Sequence, residues 1–213
     1  MSNKQAKTEN KKDVKDDTNE LNPEITKVLE DIEKIHSEQT LEILKADKLL
    51  YKSHLYPIFK KRGELLKTIP NFWSNLFGFF VQGTSETAKY ITDFFVEDTE
   101  DNCKLTFTLA ENDILKNKEV VLTVISPKTV EELQAESTVN TSGIDTKKTD
   151  KEIEEDTILN LFKTPVNDIC TTIVQEIWSD PIQSYLKYIT DEEEIENDDD
   201  NDDEDYEDSG SDQ

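Results

Sequence analysis

The most concentrated chemistry in the chain is a run of carboxylates at its end. Residues 191–213 hold 15 acids and no base. General acid–base work needs two groups whose environments push their proton affinities apart. A carboxylate surrounded by carboxylates has no such asymmetry, so the run reads as a solvated polyanion. On charge alone it divides evenly between a solubilising end and a holder of a basic partner. Ser209, Ser211 and Tyr206 lie in the same acidic stretch. Phosphate on either serine would add about −1.5 to −2 charges.

The other reactive side chains are few. His36 and His54 are 18 residues apart, about five turns of one helix, so they cannot meet within one chain and read as surface or seam residues. Cys103 and Cys170 lack CxxC spacing and an evident His partner, and read as buried, reduced thiols of an intracellular protein. There is no Gly-rich phosphate loop, GxSxG or HExxH. No catalytic, cofactor-binding or metal-binding residue is assigned, and the chain reads as a non-enzyme without a cofactor.

The formal net charge is −25, from 24 Lys and Arg against 49 Asp and Glu. Phosphate backbones would be repelled, so DNA is a poor partner and basic proteins are favoured. Hydrophobic and charged residues each make up 34%, a composition that leaves part of the chain disordered. Residues 1–20, with five lysines and five acids, form a disordered tail with no apolar run for a signal peptide. Residues 191–213 are expected to be disordered too. No window approaches a membrane span.

The elements between these tails must come from apolar periodicity. Residues 21–69 form a long amphipathic helix, started by Asn22 and Pro23. Ile25, Val28, Ile32, Ile35, Leu41, Leu44, Tyr51, Leu55 and Ile58 trace a coiled-coil-like seam on it. A rod of some 45 residues spans roughly 70 Å, too long for one small domain to enclose, so the seam is expected to meet a second copy. Pro57 should kink or break this helix, which leaves two helices divided near Tyr56 as an alternative. Residues 24–42 carry six acids and two lysines, and residues 45–67 carry seven bases and two acids. Antiparallel pairing sets unlike halves together, and charge chooses orientation even when it adds little energy.

Residues 70–190 read as an α+β domain, net −11 from 10 bases and 21 acids. A short aromatic helix spans residues 71–81, and its Phe72, Trp73, Phe77 and Phe80 read as core. A helical turn at 84–90 follows. Three strands, at 90–96, 103–110 and 119–125, make an antiparallel meander. Residues 126–156 are read as a flexible insertion with room for a fourth strand near 137–141. Structure returns at 157–162. Thr164 and Pro165 open a helix that buries Ile169, Cys170, Ile173, Val174, Ile177 and Trp178. Asp180 and Pro181 open the last short helix, with Ile182, Tyr185, Leu186 and Ile189.

Three stretches resemble the nucleosome assembly protein family, its SET-like branch most closely. Tyr56-Pro57-Ile58-Phe59-Lys60-Lys61-Arg62-Gly63-Glu64-Leu65-Leu66, with Ile69-Pro70-Asn71-Phe72-Trp73, looks like the end of the family's dimerisation helix. Residues 90–125, with the Ala110-Glu111-Asn112 turn, resemble its central sheet. Glu176-Ile177-Trp178-Ser179-Asp180-Pro181-Ile182-Gln183-Ser184-Tyr185-Leu186 resembles its closing helix. The resemblance implies a long dimerisation helix with an earmuff α+β domain, antiparallel homodimers, nuclear residence with shuttling to the cytoplasm, and histone chaperone activity in nucleosome assembly and disassembly. The family tolerates proline at the equivalent of Pro57, which favours the single helix. Candidate histone-binding residues are then Asp191, Glu192, Glu193, Glu194, Glu196, Asp198, Asp199, Asp200, Asp202, Asp203, Glu204 and Asp205. Residues 128–156 carry four lysines and nine acids, so direct DNA contact is expected to be weak or absent. A regulatory inhibitor or adaptor, acting on phosphatases or masking histones from acetylation, is the alternative the same resemblance allows.

Overall fold

The computed structural model describes residues 22–199. Its first element is one continuous helical rod. Helix α1, Pro23–Leu50, passes through a π-turn at Tyr51–Leu55 into helix α2, Tyr56–Leu66, 44 helical residues in all. At about 1.5 Å per residue the rod is about 66 Å long. The start is capped as the sequence predicts: Asn22 Oδ1 accepts from the Glu24 N–H at 2.9 Å, with Pro23 at the first position.

Pro57 neither breaks nor ends the rod. In a regular α-helix its ring would collide with the carbonyl four residues back. Here the turn before it is widened, and the Tyr56 N–H bonds the Tyr51 carbonyl, five residues back. The widened turn makes room for the ring at the cost of one extra residue per turn, so the two-helix alternative does not hold.

The chain then turns at Asn71, in the left-handed region with φ 55°, into α3, Phe72–Phe80. A single turn at Thr87–Tyr90 leads to β1, Ile91–Asp98. Strands β2, Asn102–Leu109, and β3, Glu119–Ile125, continue an antiparallel meander, and β4, Val139–Thr141, pairs with β3 to close a four-stranded sheet in sequence order. Register follows the alternation: Phe94 faces Phe107, and Leu105 faces Leu122.

Residues 126–156 hold more regular structure than their composition predicts. They carry α4, Val130–Gln134, then β4, then α5, Asp150–Glu155, whose Thr149 and Glu152 form a reciprocal capping box. Polar caps supply here what apolar periodicity does not. Helix α6, Thr157–Lys163, follows directly. The next helix departs from expectation in its start. Helix α7 is Asn167–Thr172 with Val166 before it, while the Thr164 hydroxyl bonds the Asn160 carbonyl and closes α6 instead. A second π-turn, Ile173–Trp178, carries the chain to α8, Pro181–Asp199.

The core lies between the inner sheet face and α3, α6, α7 and the second π-turn. Phe77, Phe94, Phe107 and Phe162 are fully buried. Asp156 is the polar pin of this core. It accepts from the Ser85 and Thr87 hydroxyls and from the Thr87 and Leu159 N–H groups, so its burial is matched by hydrogen bonds.

Candidate dimer seam and acidic surface

Two faces of the rod behave differently. One face docks on the chain's own domain. Leu41 and Tyr51 are buried there, and Leu44, Lys48 and Leu55 are half-buried. The Tyr51 hydroxyl donates to the Val96 carbonyl, and Lys48 pairs with Asp98 at the end of β1. Gln134 of α4 reaches Ser37 at 3.2 Å. Burial raises the Tyr51 phenol well above its ordinary value. Leu41 and Tyr51, expected in an intermolecular seam, are therefore removed from it, because the domain reaches them first.

The other face is bare. Ile25, Val28, Leu29, Ile32, Ile35, Ile43, Leu50, Ile58 and Leu65 are all more than 40% exposed. Ile25 and Ile43, and Ile32 and Leu50, are each 18 residues apart within α1, five turns of an ideal helix, and so share one face. The expected seam residues Ile25, Val28, Ile32, Ile35 and Ile58 lie on this stripe. Leu29, Ile43, Leu50 and Leu65 belong to it as well. The 18-residue spacing from Ile25 and Ile32 is the signal for Ile43 and Leu50.

The basic half of the rod is partly spent within the chain. Lys48, Lys52 and Lys67 pair with Asp98, Glu100 and Asp93 of the domain. Hydrogen bonds that it donates to Glu64 and Asp93 hold the Lys67 ammonium above the usual lysine range. Arg62 is wedged between the Phe59 and Trp178 rings at 4.4 and 4.3 Å, and donates to the Trp178 and Ser179 carbonyls. Burial lowers its proton affinity although Asp180 opposes this. It pins the rod to the domain and offers little to a partner. The acidic half keeps its charge: Glu24, Glu30, Asp31, Glu33 and Glu38 have no ion-pair partner among the described residues.

The domain surface is acidic for a related reason. Lys89, Lys116, Lys128, Lys148, Lys151 and Lys163 are each engaged in an ion pair. Glu111, Glu119, Glu136, Glu154, Asp168 and Glu176 are exposed without one among the described residues. The candidate histone-binding residues split in two. Asp191, Glu192, Glu193, Glu194, Glu196, Asp198 and Asp199 continue α8, so the acidic run starts on a helix where disorder was expected. Asp200, Asp202, Asp203, Glu204 and Asp205 lie outside the described residues, as does the expected N-terminal tail.

Little here is poised for catalysis. Burial pushes the Cys103 thiol up to about 12 and the Cys170 thiol to about 11, far from the thiolate a nucleophile needs. Among the described residues no group of His, Cys, Asp and Glu could hold a metal, and no helix is long and apolar enough to cross a membrane.

Known proteins share this arrangement. Over 186 residues the chain is 35% identical to the "Protein set homolog" of Dictyostelium discoideum, covering 76% of this chain and 78% of that one. The chain belongs to the nucleosome assembly protein family, in its SET-like branch. A second member, the "NAP1-related protein 2" of Arabidopsis thaliana, is 26% identical over 109 residues, 46% of this chain and 42% of that one. No family model matches the chain. Among solved structures, Ccp1 superposes with a TM-score of 0.56 at 16% identity, covering 78% of this chain and 96% of that one, so the SET-like rod and sheet domain are shared as a fold.

Proposed function

We propose that this chain is a histone chaperone: a nuclear, non-enzymatic, antiparallel homodimer that binds core histones through acidic surfaces during nucleosome assembly and disassembly. Membership in the family supports a function of histone-chaperone type. The observation that carries the reading is the charge balance of the folded part. Residues 70–190 are net −11, and six of their ten bases are occupied in ion pairs. The field reaching solvent is therefore negative before the acidic end is counted. Histones are rich in Lys and Arg. A surface of fixed carboxylates replaces DNA phosphate as their counter-charge without reading sequence. The same field opposes direct DNA binding.

The bare stripe supplies the dimer. Aliphatic side chains at this exposure along a rod lose less by meeting a like stripe than by meeting water. An antiparallel arrangement keeps the two uncompensated acidic halves apart and puts the domains at opposite ends.

Two contributions to histone binding are expected. The folded face is pre-organised and sets geometry, while residues 191–213 add encounter rate through a diffuse attraction. Stopped-flow binding to core histone pairs across a salt series, with and without residues 191–213, tests this. Truncation should slow association and flatten the salt slope, with binding retained at low salt. Loss of all binding at low salt would make the acidic end the whole site. A full-length protein that binds a phosphatase and no histone would replace the proposal with the inhibitor or adaptor reading.

A further inference from the structure

The exposed stripe of the rod is not purely apolar. His36 is exposed four residues after the exposed Ile32, and His54 is exposed four residues after Leu50 and four before Ile58. Neither imidazole makes a hydrogen bond or ion pair within the chain among the described residues. A stripe that ends at Ile25 and Leu65 has its midpoint at residue 45. Two antiparallel copies cover the whole stripe only when the two-fold axis passes opposite that midpoint. Any shift leaves aliphatic residues uncovered at both ends. In this register Ile25 lies opposite Leu65 of the second copy, Ile32 opposite Ile58, and His36 opposite His54.

We infer that the seam carries two symmetry-related His36–His54 contacts between copies, and that these make the dimer weaken as pH falls through the histidine range. The inference rests on the antiparallel dimer proposed above. An imidazole ordinarily takes up a proton near pH 6.5 (about that value in solution). At neutral pH, one neutral ring can donate N–H to the other, and both fit an apolar seam. Protonation puts charge into that seam, and protonating both rings sets like charges against each other.

The surrounding charges do not reverse this. Glu33 lies one turn before His36, with Lys34 beside it, and α4 brings Glu131 and Glu132 near Ser37. Near His54 the chain presents Tyr51, Lys52, Lys61 and Glu100, with the exposed Asp47 two turns earlier, close to the midpoint. The carboxylates among these are exposed and act through screened water. The facing imidazole acts across the desolvated seam, and Lys61 of the second copy adds to the repulsion. The sign is therefore fixed. Stability of the dimer is full above the histidine range and is lost as pH falls through it.

Sedimentation equilibrium of the full chain at pH 7.5 and 5.5 reads the effect. The dimer dissociation constant should rise at least about tenfold at the lower pH, because protons bound by the free chains must be released on pairing. The variant His36→Leu/His54→Leu should dimerise at least as tightly at pH 7.5 and show no change at pH 5.5. The register has its own readout, in a background with Cys103 and Cys170 replaced by alanine. Oxidised His36→Cys/His54→Cys should form a covalent dimer, while either single cysteine variant should not, since each residue and its own copy are about 27 Å apart along the axis. A wild-type chain that is monomeric at pH 7.5 overturns the dimer itself. A dimer whose constant is the same at both pH values overturns the histidine inference and leaves the dimer standing. Cross-linking by a single variant overturns the register.

Discussion

The two halves of the rod share a helix and differ in almost everything else. From Pro23 to about Thr40 nearly every residue is exposed, and the domain reaches this half through α4, where Gln134 bonds Ser37. From Leu41 to Leu66 the rod is held by Tyr51, Lys48, Phe59 and Arg62 against the β1–β2 turn and the second π-turn. Both halves carry the aliphatic stripe, but only the second has a domain behind it. A helix that protrudes with one face bare has to find its stability elsewhere, because isolated helices are marginal in water. On the dimer proposed above, domain folding and rod pairing are separable events, with separate residues responsible for each.

Breaking the bare face gives the largest expected effect. Ile32→Glu with Leu50→Glu places four carboxylates in the seam of a dimer, each costing several kcal/mol if it stays charged (about that order). Sedimentation should show monomers at micromolar concentration, while the thermal midpoint of the sheet domain barely moves. A variant that still dimerises would mean the stripe is not the contact. The docked face is broken next. Trp178 is 3% exposed and packs on Phe59, Phe94 and Phe95 with ring centroids at 5.5, 5.8 and 5.0 Å. Trp178→Ala should cost about 3–5 kcal/mol in chemical unfolding of the domain. It also removes one wall of the Arg62 slot. If dimer affinity falls as steeply as domain stability, the two events are not separable.

The sequence displays these halves unequally. The strands, the α3 aromatics and the Asn22 cap are legible because each follows a local rule: alternation, a dense aromatic run, a side-chain oxygen before Pro23. The rod is legible too, but not which of its faces does what. Leu41, Leu44, Tyr51 and Leu55 satisfy helical spacing as well as Ile43 and Leu50 do. Only the tertiary position of the β1–β2 turn decides that Tyr51 points inward. Pro57 hides in the same way, since a composition rule forbids it and a change of helix type admits it. In residues 126–156 only the fourth strand near 137–141 is legible, as β4, and the helices around it are hidden for the opposite reason. Helices α4 and α5 are held by caps at Thr129 and at Thr149–Glu152, and an isolated bridge joins Leu115 to Thr146, which leaves no apolar period. Of the acidic site, the charge is visible in composition. Which carboxylates stay free depends on where Lys48, Lys52 and Lys67 reach.

Tyr51→Phe gives the smallest effect and separates the halves most finely. The substitution keeps the ring, which lies 5.7 Å from Phe59 and 6.2 Å from Tyr56, and removes only the hydroxyl that donates to the Val96 carbonyl. A net hydrogen bond is worth about 0.5–1.5 kcal/mol, and a buried acceptor left unpaired costs up to about 3 kcal/mol. The lower figure should apply here. Tyr51 lines an open cleft with Lys52, Tyr56 and Glu97 to Asp101, and the lower figure assumes that water entering from this cleft reaches the vacated carbonyl. The phenol's raised proton affinity comes first from burial, and the phenylalanine variant has no proton to lose. The wild type should therefore lose the tyrosine-linked share of its stability as pH rises above about 10, and the variant should not. Denaturant titrations at pH 8 and pH 10.5 compare the two proteins. The variant should be less stable by about 1 kcal/mol at pH 8, with the gap closing at pH 10.5 and dimer affinity unchanged at both. A gap that stays open at high pH would mean that the ring's packing, and not the hydroxyl, holds the rod to the sheet.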